Sequence, residues 1–353
     1  MKKYIVFIAI VTCLVLSLSL FACEEASTSD ADKQGQKTEQ SGGSQSTAAT
    51  DNQPAATYKV MAPDGAPALA LAKMMKDGAQ VGGHKLEYSV IAAANVAASM
   101  TNGDADVIIA PTNAGVMQSV NTDAYYLLGV TSWGNLYLIT TNDSYKTLAE
   151  SESATAFLAQ FADHSISSIG TNQVPDVSLK ALFKSASVTT CTVAEAQTAA
   201  VIQSDLISGA IDTALLGEPA VTGTKNKVAN CRILGGIAEL WKALTGKDYP
   251  QASVFIKKTI AADTAFVTAL ESAIKASVDY LNASESNAQE MGAYMESRGD
   301  NSLKAAVVKQ CYLRTAQAYR TAADAKEDVK SLVSVLVPKL ADTDYDSVFY
   351  VAR

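Results

Sequence analysis

The chain is poor in the side chains that most often carry catalysis or nucleic-acid binding. Its two histidines, His84 and His164, stand in no metal-ligand or nucleophile spacing, and no CxxC, HExxH, GxSxG or P-loop pattern occurs. The few arginines are scattered through a chain of net charge −8, whereas phosphate binding relies on clustered basic side chains. These absences favour a protein that is not an enzyme, uses no metal or cofactor and does not bind nucleic acid.

Cysteine is also scarce. Cys13 lies in an apolar leader, and a lipid-attachment role for Cys23, argued below, leaves Cys191, Cys231 and Cys311. Three thiols cannot all pair within one chain. Cys191 and Cys231 fall in candidate strands of the same half of the chain, so either one disulfide joins them or the thiols remain free.

The N-terminus has the features of a secretory leader. Lys2 and Lys3 precede an apolar run from Tyr4 to Leu20. The run ends in Leu-Phe-Ala-Cys at residues 20–23, which resembles the lipobox of bacterial lipoproteins. This resemblance implies cleavage before Cys23, lipid attachment to its thiol, and a location outside the cytoplasm on the cell membrane of a bacterium. The alternative is an ordinary signal peptide or a transmembrane anchor with an incidental cysteine.

Residues 1-22 are therefore assigned to the signal peptide and residues 23-57 to a lipidated cysteine followed by a disordered tether. The tether is rich in Ser, Thr, Gln, Asp, Ala and Gly, and it lacks aromatic and β-branched aliphatic residues. Such a composition cannot bury enough apolar surface to offset the entropy lost on ordering.

The folded part is organised around residues 104–141. Val107 to Ile109 is an apolar run typical of a buried parallel strand, Pro111 ends it, and Thr112 or Asn113 can cap the following helix. A long strand is expected from Tyr125 to Thr141, interrupted at residues 133–135. Ligands bind at the carboxyl ends of strands in open α/β sheets, and no Lys or Arg occurs between residues 85 and 146. The pattern predicts a polar binding cleft without a cationic clamp.

A related arrangement recurs in the second half. Residues 213–216 are predicted to form a buried strand and lead to Gly217-Glu218-Pro219-Ala220, as residues 107–110 lead to Pro111-Thr112-Asn113. Towards the C-terminus, the apolar spacing predicts helices over residues 259–281, 302–320 and 325–340.

Several of these pieces resemble the substrate-binding proteins of bacterial ABC importers, particularly the group related to sulfonate, nitrate and thiamine-precursor binders. The matching segments are the turn at residues 63–67, residues 102–113, residues 129–135 and residues 216–220; Arg314 and residues 322–329 also look like the family's C-terminal helices. The resemblance implies an α/β, two-lobed, periplasmic-binding-protein-like fold (type II), with the lobes joined by crossing hinge strands. One lobe would hold residues 58-140 and 252-345, and the other residues 141-251. An ABC permease would be the partner.

The expected ligand-binding residues lie at the strand ends and helix starts of both lobes. They are Asp64, Gly65, Ala66, Asn95, Thr112, Asn113, Trp133, Asn135, Thr171, Asn172 and Glu218.

Two of these residues have alternative roles. Glu218 can accept hydrogen bonds from a ligand, cap the helix after Pro219 or form a salt bridge across the cleft. Trp133 can stack on a flat ligand or pack in the hinge. Because acidic residues lie at the expected tips and basic ones do not, we expect a neutral or amine-bearing ligand, for example a planar heterocycle resting on Trp133.

Two classes of function remain open from the sequence. One is a membrane-tethered solute receptor that delivers a small molecule to an ABC permease. The other is an extracytoplasmic enzyme or ligand sensor on the same scaffold, which the fold alone does not exclude. Neighbouring genes for a permease and an ATPase would distinguish the two.

Overall fold

The computed structural model describes residues 55–78, 80–169, 173–196 and 198–352. The predicted signal peptide, Cys23 and most of the predicted tether lie outside the described residues, as do Thr171 and Asn172. Within the described ranges, every helix is too short or too polar to cross a bilayer.

Lobe 1 is built on a six-stranded mixed sheet in the order β11-β4-β10-β3-β1-β2. The strands β1, β2 and β3 are parallel, and β10 runs antiparallel to both β3 and β4. The strands of this sheet are β1 (Thr57–Pro63), β2 (Lys85–Ile91), β3 (Val107–Pro111), β4 (Tyr125–Ser132), β10 (Ala252–Lys257) and β11 (Gln317–Thr321).

Lobe 2 is built on a five-stranded sheet in the order β7-β6-β8-β5-β9. β6 is parallel to β7 and β8, whereas β5 is antiparallel to both of its neighbours. The strands are β5 (Leu136–Thr140), β6 (Ser165–Ile169), β7 (Thr192–Ala196), β8 (Thr213–Gly217) and β9 (Arg232–Gly236).

Helices cover both sheets. Those that follow strands of lobe 1, or form its C-terminal part, are α1 (Ala66–Ala70), α2 (Ala72–Asp77), α3 (Val96–Asn102), α4 (Thr112–Thr122), α10 (Thr264–Ala283), α11 (Glu285–Arg298), α12 (Ala305–Cys311) and α13 (Ala322–Leu336). Those of lobe 2 are α5 (Ala154–Ala159), α6 (Val174–Ser185), α7 (Ala199–Ser208), α8 (Ala220–Lys225) and α9 (Ile237–Thr245).

The chain crosses between the two lobes twice. It leaves lobe 1 between β4 and β5, through residues 133–135, and returns between α9 and β10, through residues 246–251. The expected single strand from Tyr125 to Thr141 is therefore two strands in different sheets. Residues 136–140, which the sequence placed at the end of lobe 1, pair with β8 and β9 in lobe 2.

The expected helix over residues 302–320 is wrong in its second half. α12 ends at Cys311, a short 3-10 helix follows, and Ala316 adopts a left-handed backbone conformation with φ of 51°. The chain then forms β11, which pairs with the edge of β4. Pairing with a neighbouring strand decides the conformation here against a helical pattern, because tertiary contacts override weak local propensity.

Helix α13 packs on both lobes. Val329 and Val333 belong to a core cluster formed with β3, β4 and α4, whereas Leu332 packs into the core of lobe 2 with Phe157, Leu182 and Trp241. A helix that is apolar on more than one side needs more than one partner. The C-terminal helix thus supports the lobe connection alongside the two crossings.

Candidate ligand-binding cleft

A cavity of about 840 Å³ lies between the two lobes. Lobe 1 supplies the turns after β1, β2 and β3 and the segment before α12, and lobe 2 supplies the starts of α6, α7 and α8. Both crossings contribute as well, through Asn135 and Gln251. The cavity therefore sits where the carboxyl ends of strands from two sheets face each other, the usual ligand position in open α/β sheets.

The cavity wall is mostly aliphatic. Pro67, Ala97, Leu136, Ile169 and Val307 are typical of the lining, and none of the described lining residues is aromatic. A ligand can therefore bury an aliphatic body here, but the described wall offers it no ring to stack on.

The turn after β1 lies at the cavity. Asp64, Gly65 and Ala66 all line the cavity. Gly65 has φ of 98°, a conformation that L-residues rarely adopt, and it leads directly into α1. Both carboxylate oxygens of Asp64 accept from the backbone N–H of Ser302, at 3.0 and 3.1 Å, so this charged group is held at the cavity but stays exposed.

The loop after β3 divides its polar groups between structure and cavity. Thr112 is fully buried: its hydroxyl lies 2.7 Å from the Ser253 hydroxyl, and its backbone N–H donates to the Gln251 carbonyl at 3.0 Å. Asn113 lines the cavity, and its Oδ1 has no hydrogen-bond partner among the described residues. Asn113 therefore has unused hydrogen-bonding capacity, whereas Thr112 supports the wall from beneath.

Glu218 lies at the tip of β8, but its carboxylate is occupied. The backbone N–H of Thr222 donates to it at 3.0 Å, the Thr222 hydroxyl at 2.8 Å, and Nε of Arg314 at 2.8 Å. The Glu218 side chain has no exposed surface. Glu218 therefore has both of the other roles that the sequence allowed. Its carboxylate caps α8 and forms a salt bridge with Arg314 of lobe 1.

Asn135 and Gln251 fasten the two crossings together. Nε2 of Gln251 donates to Oδ1 of Asn135 at 2.6 Å, and the Asn135 N–H donates to Oε1 of Gln251 at 2.9 Å. Nδ2 of Asn135 donates to the Glu218 carbonyl at 3.0 Å. Although Asn135 lines the cavity, its side-chain amide is engaged in the hinge.

Trp133 lies in the hinge and does not line the cavity. Its indole N–H donates to the Ala318 carbonyl at 2.8 Å, and the guanidinium of Arg320 lies 3.8 Å from the ring centroid. The stacking of a flat ligand on Trp133 therefore has no basis in this geometry, since Arg320 covers the ring and the cavity lies elsewhere.

The remaining predicted residues do not add to the wall that is described. Asn95 is exposed at the start of α3, makes no capping hydrogen bond and lies outside the lining, although Ala94 and Val96 on either side belong to it. The side chains of Thr171 and Asn172 lie outside the described residues.

The expectation of a site without cations needs correction. Lys227 and Lys304 both line the cavity. Nζ of Lys227 donates to Gln203 at 3.0 Å, and Nζ of Lys304 lies 3.3 Å from Glu296. The sequence did not predict Lys304 as a cavity residue, because the expected helix over residues 302–320 includes it. The residues Gly299-Asp300-Asn301-Ser302 have a turn-forming composition that indicates a loop at this point.

Burial around Glu218 changes the titration of its neighbours. Desolvation, with the Glu218 charge as a second cause, raises the pKa of the Tyr137 hydroxyl to about 12 and that of the Cys311 thiol to about 12.

Cys311 is buried and unpaired, as is Cys231, while Cys191 is a partly buried free thiol. No group of three or more His, Cys, Asp or Glu side chains in the described part of the chain is placed to hold a metal ion.

Neither a protein-family model nor a curated protein matches this chain. Solved structures do match. An ABC transporter protein from Parabacteroides distasonis has 18% identity and a TM-score of 0.67, over 84% of this chain and 99% of that one.

Two further neighbours are solute-binding proteins by description. The periplasmic aliphatic sulphonate binding protein of Escherichia coli has 13% identity and a TM-score of 0.64, over 85% of this chain and 94% of that one. The periplasmic nitrate-binding protein of Synechocystis has 14% identity and a TM-score of 0.57, over 83% and 84%. These similarities confirm the predicted fold, a two-lobed periplasmic-binding-protein-like α/β fold.

Proposed function

We propose that this chain is an extracytoplasmic solute receptor that binds a small molecule between its lobes and delivers it to an ABC importer. The observation that carries the proposal is the cavity of about 840 Å³ between two sheets that are joined by two crossings. Such an arrangement lets a ligand contact both lobes and thereby favour their closure. The neighbours with the same fold, whose descriptions name an ABC transporter and two periplasmic binding proteins, support the same interpretation.

The first experiment identifies the ligand. Protein purified under non-denaturing conditions is denatured in organic solvent, and the released small molecules are analysed by mass spectrometry. Small-angle scattering with and without the identified compound then gives the radius of gyration, which we expect to fall on binding. A compound that binds tightly and leaves the radius unchanged, starting from an open apo state, would contradict closure.

For the ligand we propose a molecule with an aliphatic body that is neutral or bears an amine. The described part of the wall has no aromatic side chain, which favours the aliphatic body over a heterocycle. The charge argument now rests on Asp64, which is exposed at the cavity and is hydrogen-bonded to a backbone N–H. The other charged lining residues are engaged elsewhere, because Glu218 pairs with Arg314, Lys304 pairs with Glu296 and Lys227 donates to Gln203. A bound amine would pair with Asp64.

A thermal-shift panel tests this proposal with straight-chain alkyl amines, carboxamides, aliphatic sulfonates and thiamine-precursor-like heterocycles. A ligand at 100 times its dissociation constant stabilises the folded state by about 2.7 kcal/mol. We expect amines or amides to raise the midpoint, and Asp64→Asn to remove the response to amines while sparing the response to amides. A response confined to sulfonates would contradict the proposed ligand class.

We propose that Cys23 anchors the protein to the membrane through a lipid. The lipobox-like sequence at residues 20–23 supports this, and no other cysteine follows the apolar leader so closely. Labelling of cells with a radioactive fatty acid should mark the wild type but not Cys23→Ala. Equal incorporation in both would contradict the anchor.

We also propose that the protein is not an enzyme. Among the described residues that line the cavity, the titratable ones are Asp64, Glu218, Lys227 and Lys304, and the side chain of each has a protein partner. A general base or nucleophile would need one of these groups to be free to react. Recovery of the identified ligand chemically unchanged after prolonged incubation is the expected result.

A further inference from the structure

The contact between Glu218 and Arg314 joins the two lobes. Glu218 and Thr222 belong to lobe 2, at the end of β8 and within α8. Arg314 belongs to lobe 1, in the 3-10 helix between α12 and β11. Its Nε donates to Glu218 at 2.8 Å and a terminal nitrogen donates to the Thr222 hydroxyl at 2.7 Å, so one side chain of lobe 1 makes two bonds to lobe 2.

The backbone around Arg314 is firmly part of lobe 1. Thr315 is fully buried, the Ala316 carbonyl accepts from the Trp133 N–H at 2.9 Å, and Gln317 begins β11 and donates its side-chain amide to the Ala66 carbonyl at 3.2 Å. Lobe 2 also reaches back, because the Tyr137 hydroxyl donates to the Arg314 carbonyl at 3.1 Å. The guanidinium is therefore a fixed group of one lobe that is held by the other.

Glu218 is in turn tied to both crossings. Its N–H donates to the Asn135 carbonyl at 2.8 Å and its carbonyl accepts from the Asn135 amide, which is bonded to Gln251. The Gln251 carbonyl accepts from Thr112 at the start of α4, next to Asn113 in the cavity wall. A continuous series of hydrogen bonds therefore connects Arg314 with both crossings and with a wall of the cavity.

We propose that Arg314 is a positioning residue for ligand capture: by holding Glu218 and Thr222, it keeps lobe 2 in the orientation in which the cavity can receive a ligand. The inference rests on the proposed function of the cleft. A carboxylate with no exposed surface is costly to leave without its cation, so a rotation that separates the two groups must first bring water to Glu218. The pair therefore favours the lobe orientation seen in the structure.

The test compares matched variants of the purified protein in buffer alone. Arg314→Gln and Glu218→Gln each break the interlobe pair, and their combination leaves no unpaired buried charge and so keeps the test possible where Arg314→Gln alone fails to fold. Arg298→Gln is the control, because it makes the same change in an ion pair with Asp300 inside lobe 1. Small-angle scattering and hydrogen exchange are measured for each.

We expect a larger radius of gyration in the double variant than in the wild type. We also expect about tenfold faster exchange at residues 111–114 and 217–222, with neither change in Arg298→Gln. An unchanged radius and unchanged exchange, with only a lower melting temperature, would show that Arg314 merely supports α8 and would overturn the proposal. Neither readout needs a ligand, so a failure of the proposed function leaves this result independent.

Where a co-purifying compound has been identified, its dissociation constant gives a second readout. The apparent dissociation constant rises in inverse proportion to the fraction of molecules in the competent orientation, so a tenfold fall in that fraction weakens binding about tenfold. We expect the double variant to bind that compound about tenfold more weakly and Arg298→Gln to bind it as the wild type does. Equal affinity in all three proteins would overturn the proposal.

Discussion

The cleft and the hinge differ in how they use polar groups. The cleft is lined mainly by Pro, Ala, Val, Leu and Ile, and Oδ1 of Asn113 has no hydrogen-bond partner in the part of the chain that the structure describes. The hinge concentrates indole, guanidinium, amide and carboxylate groups, and these bond to one another: Trp133 with Arg320, Asn135 with Gln251, and Glu218 with Arg314.

The difference follows from what each region must do. A hinge has few residues in which to fix the orientation of two lobes, so directional bonds suit it, whereas a cleft that binds and releases its ligand must leave surface uncommitted. Polar side chains at strand ends therefore do not by themselves mark ligand contacts. Asn135 and Glu218 form the joint between the lobes, whereas Asp64 and Asn113 face the cavity.

The largest expected effect comes from placing the same methyl group in each region. Gly134 in the hinge has φ of 108°, and a Cβ there would lie 2.4 Å from the Ala238 Cβ, whereas a Cβ on Gly223 in the cleft would contact nothing within 4 Å. We expect Gly134→Ala to lower the free energy of unfolding by about 3 kcal/mol or more, because it combines backbone strain with overpacking. Gly223→Ala lies in a helix and should be neutral or stabilising by up to about 1 kcal/mol. Urea denaturation of both variants measures the difference, and equal stabilities would contradict it.

Trp133 gives the next largest effect. Trp133→Ala removes the contact with Arg320 and the bond to the Ala318 carbonyl, and we expect a loss of about 2–3 kcal/mol in the free energy of unfolding. Trp133→Phe keeps a ring and loses the N–H donor, so about 1 kcal/mol is expected. Calorimetry tests both. A large loss of ligand affinity in Trp133→Phe, with little change in stability, would indicate that Trp133 contacts the ligand.

The pair of Asn135 and Gln251 allows the hinge to be tested as a unit. A double-mutant cycle with Asn135→Ala and Gln251→Ala should give a coupling free energy of about 1 kcal/mol, since the Gln251 amide donates to Oδ1 of Asn135 and either substitution removes this side-chain bond. The same cycle on Asn113 and Lys227, two cleft residues between which the described structure shows no hydrogen bond, should give a coupling near zero. Similar couplings in both cycles would remove the distinction between the regions.

The smallest expected effect is the change in stability of an Asp248 variant at low pH. Hydrogen bonds from Lys242 and Arg320 hold the pKa of the Asp248 carboxyl below its usual value. A lowered pKa in the folded state contributes stability that is present above the unfolded pKa of about 3.9 and is lost as the pH falls through the folded pKa. We expect Asp248→Asn to be less stable than the wild type at pH 7 and the gap to narrow below about pH 4. A gap that stays constant down to pH 2 would contradict the assignment.

The positions of the strand ends could be predicted from the sequence, because short apolar runs followed by Pro or Gly are a local signal. Asp64, Gly65, Ala66, Asn113, Asn135 and Glu218 do lie at the cavity. Their tasks could not be predicted in the same way. Whether Glu218 meets a ligand or Arg314 depends on contacts that join residues 96 positions apart in the chain.

The C-terminal part shows the same limit. A helical pattern through residues 302–320 concealed β11, because that strand exists only through pairing with β4. For the same reason, the sequence did not predict that Lys304 lies at the cavity or that Arg314 is held next to β11. Local pattern finds the elements, while the assignment of polar groups to hinge or cleft requires the tertiary structure.

The central claim, that the ligand lies in the aliphatic cleft and not on the hinge, is tested most directly by comparing ligand retention in two variants. Ala114 lines the cavity at the start of α4, so Ala114→Phe places a ring in that space, whereas Trp133→Phe alters the hinge. Wild type and both variants are purified in parallel, and the small molecules they release are quantified by mass spectrometry. We expect Trp133→Phe to carry the same compound as the wild type and Ala114→Phe to carry none while melting within about 1 °C of the wild type. Retention of the compound by Ala114→Phe together with its loss from Trp133→Phe would contradict the account.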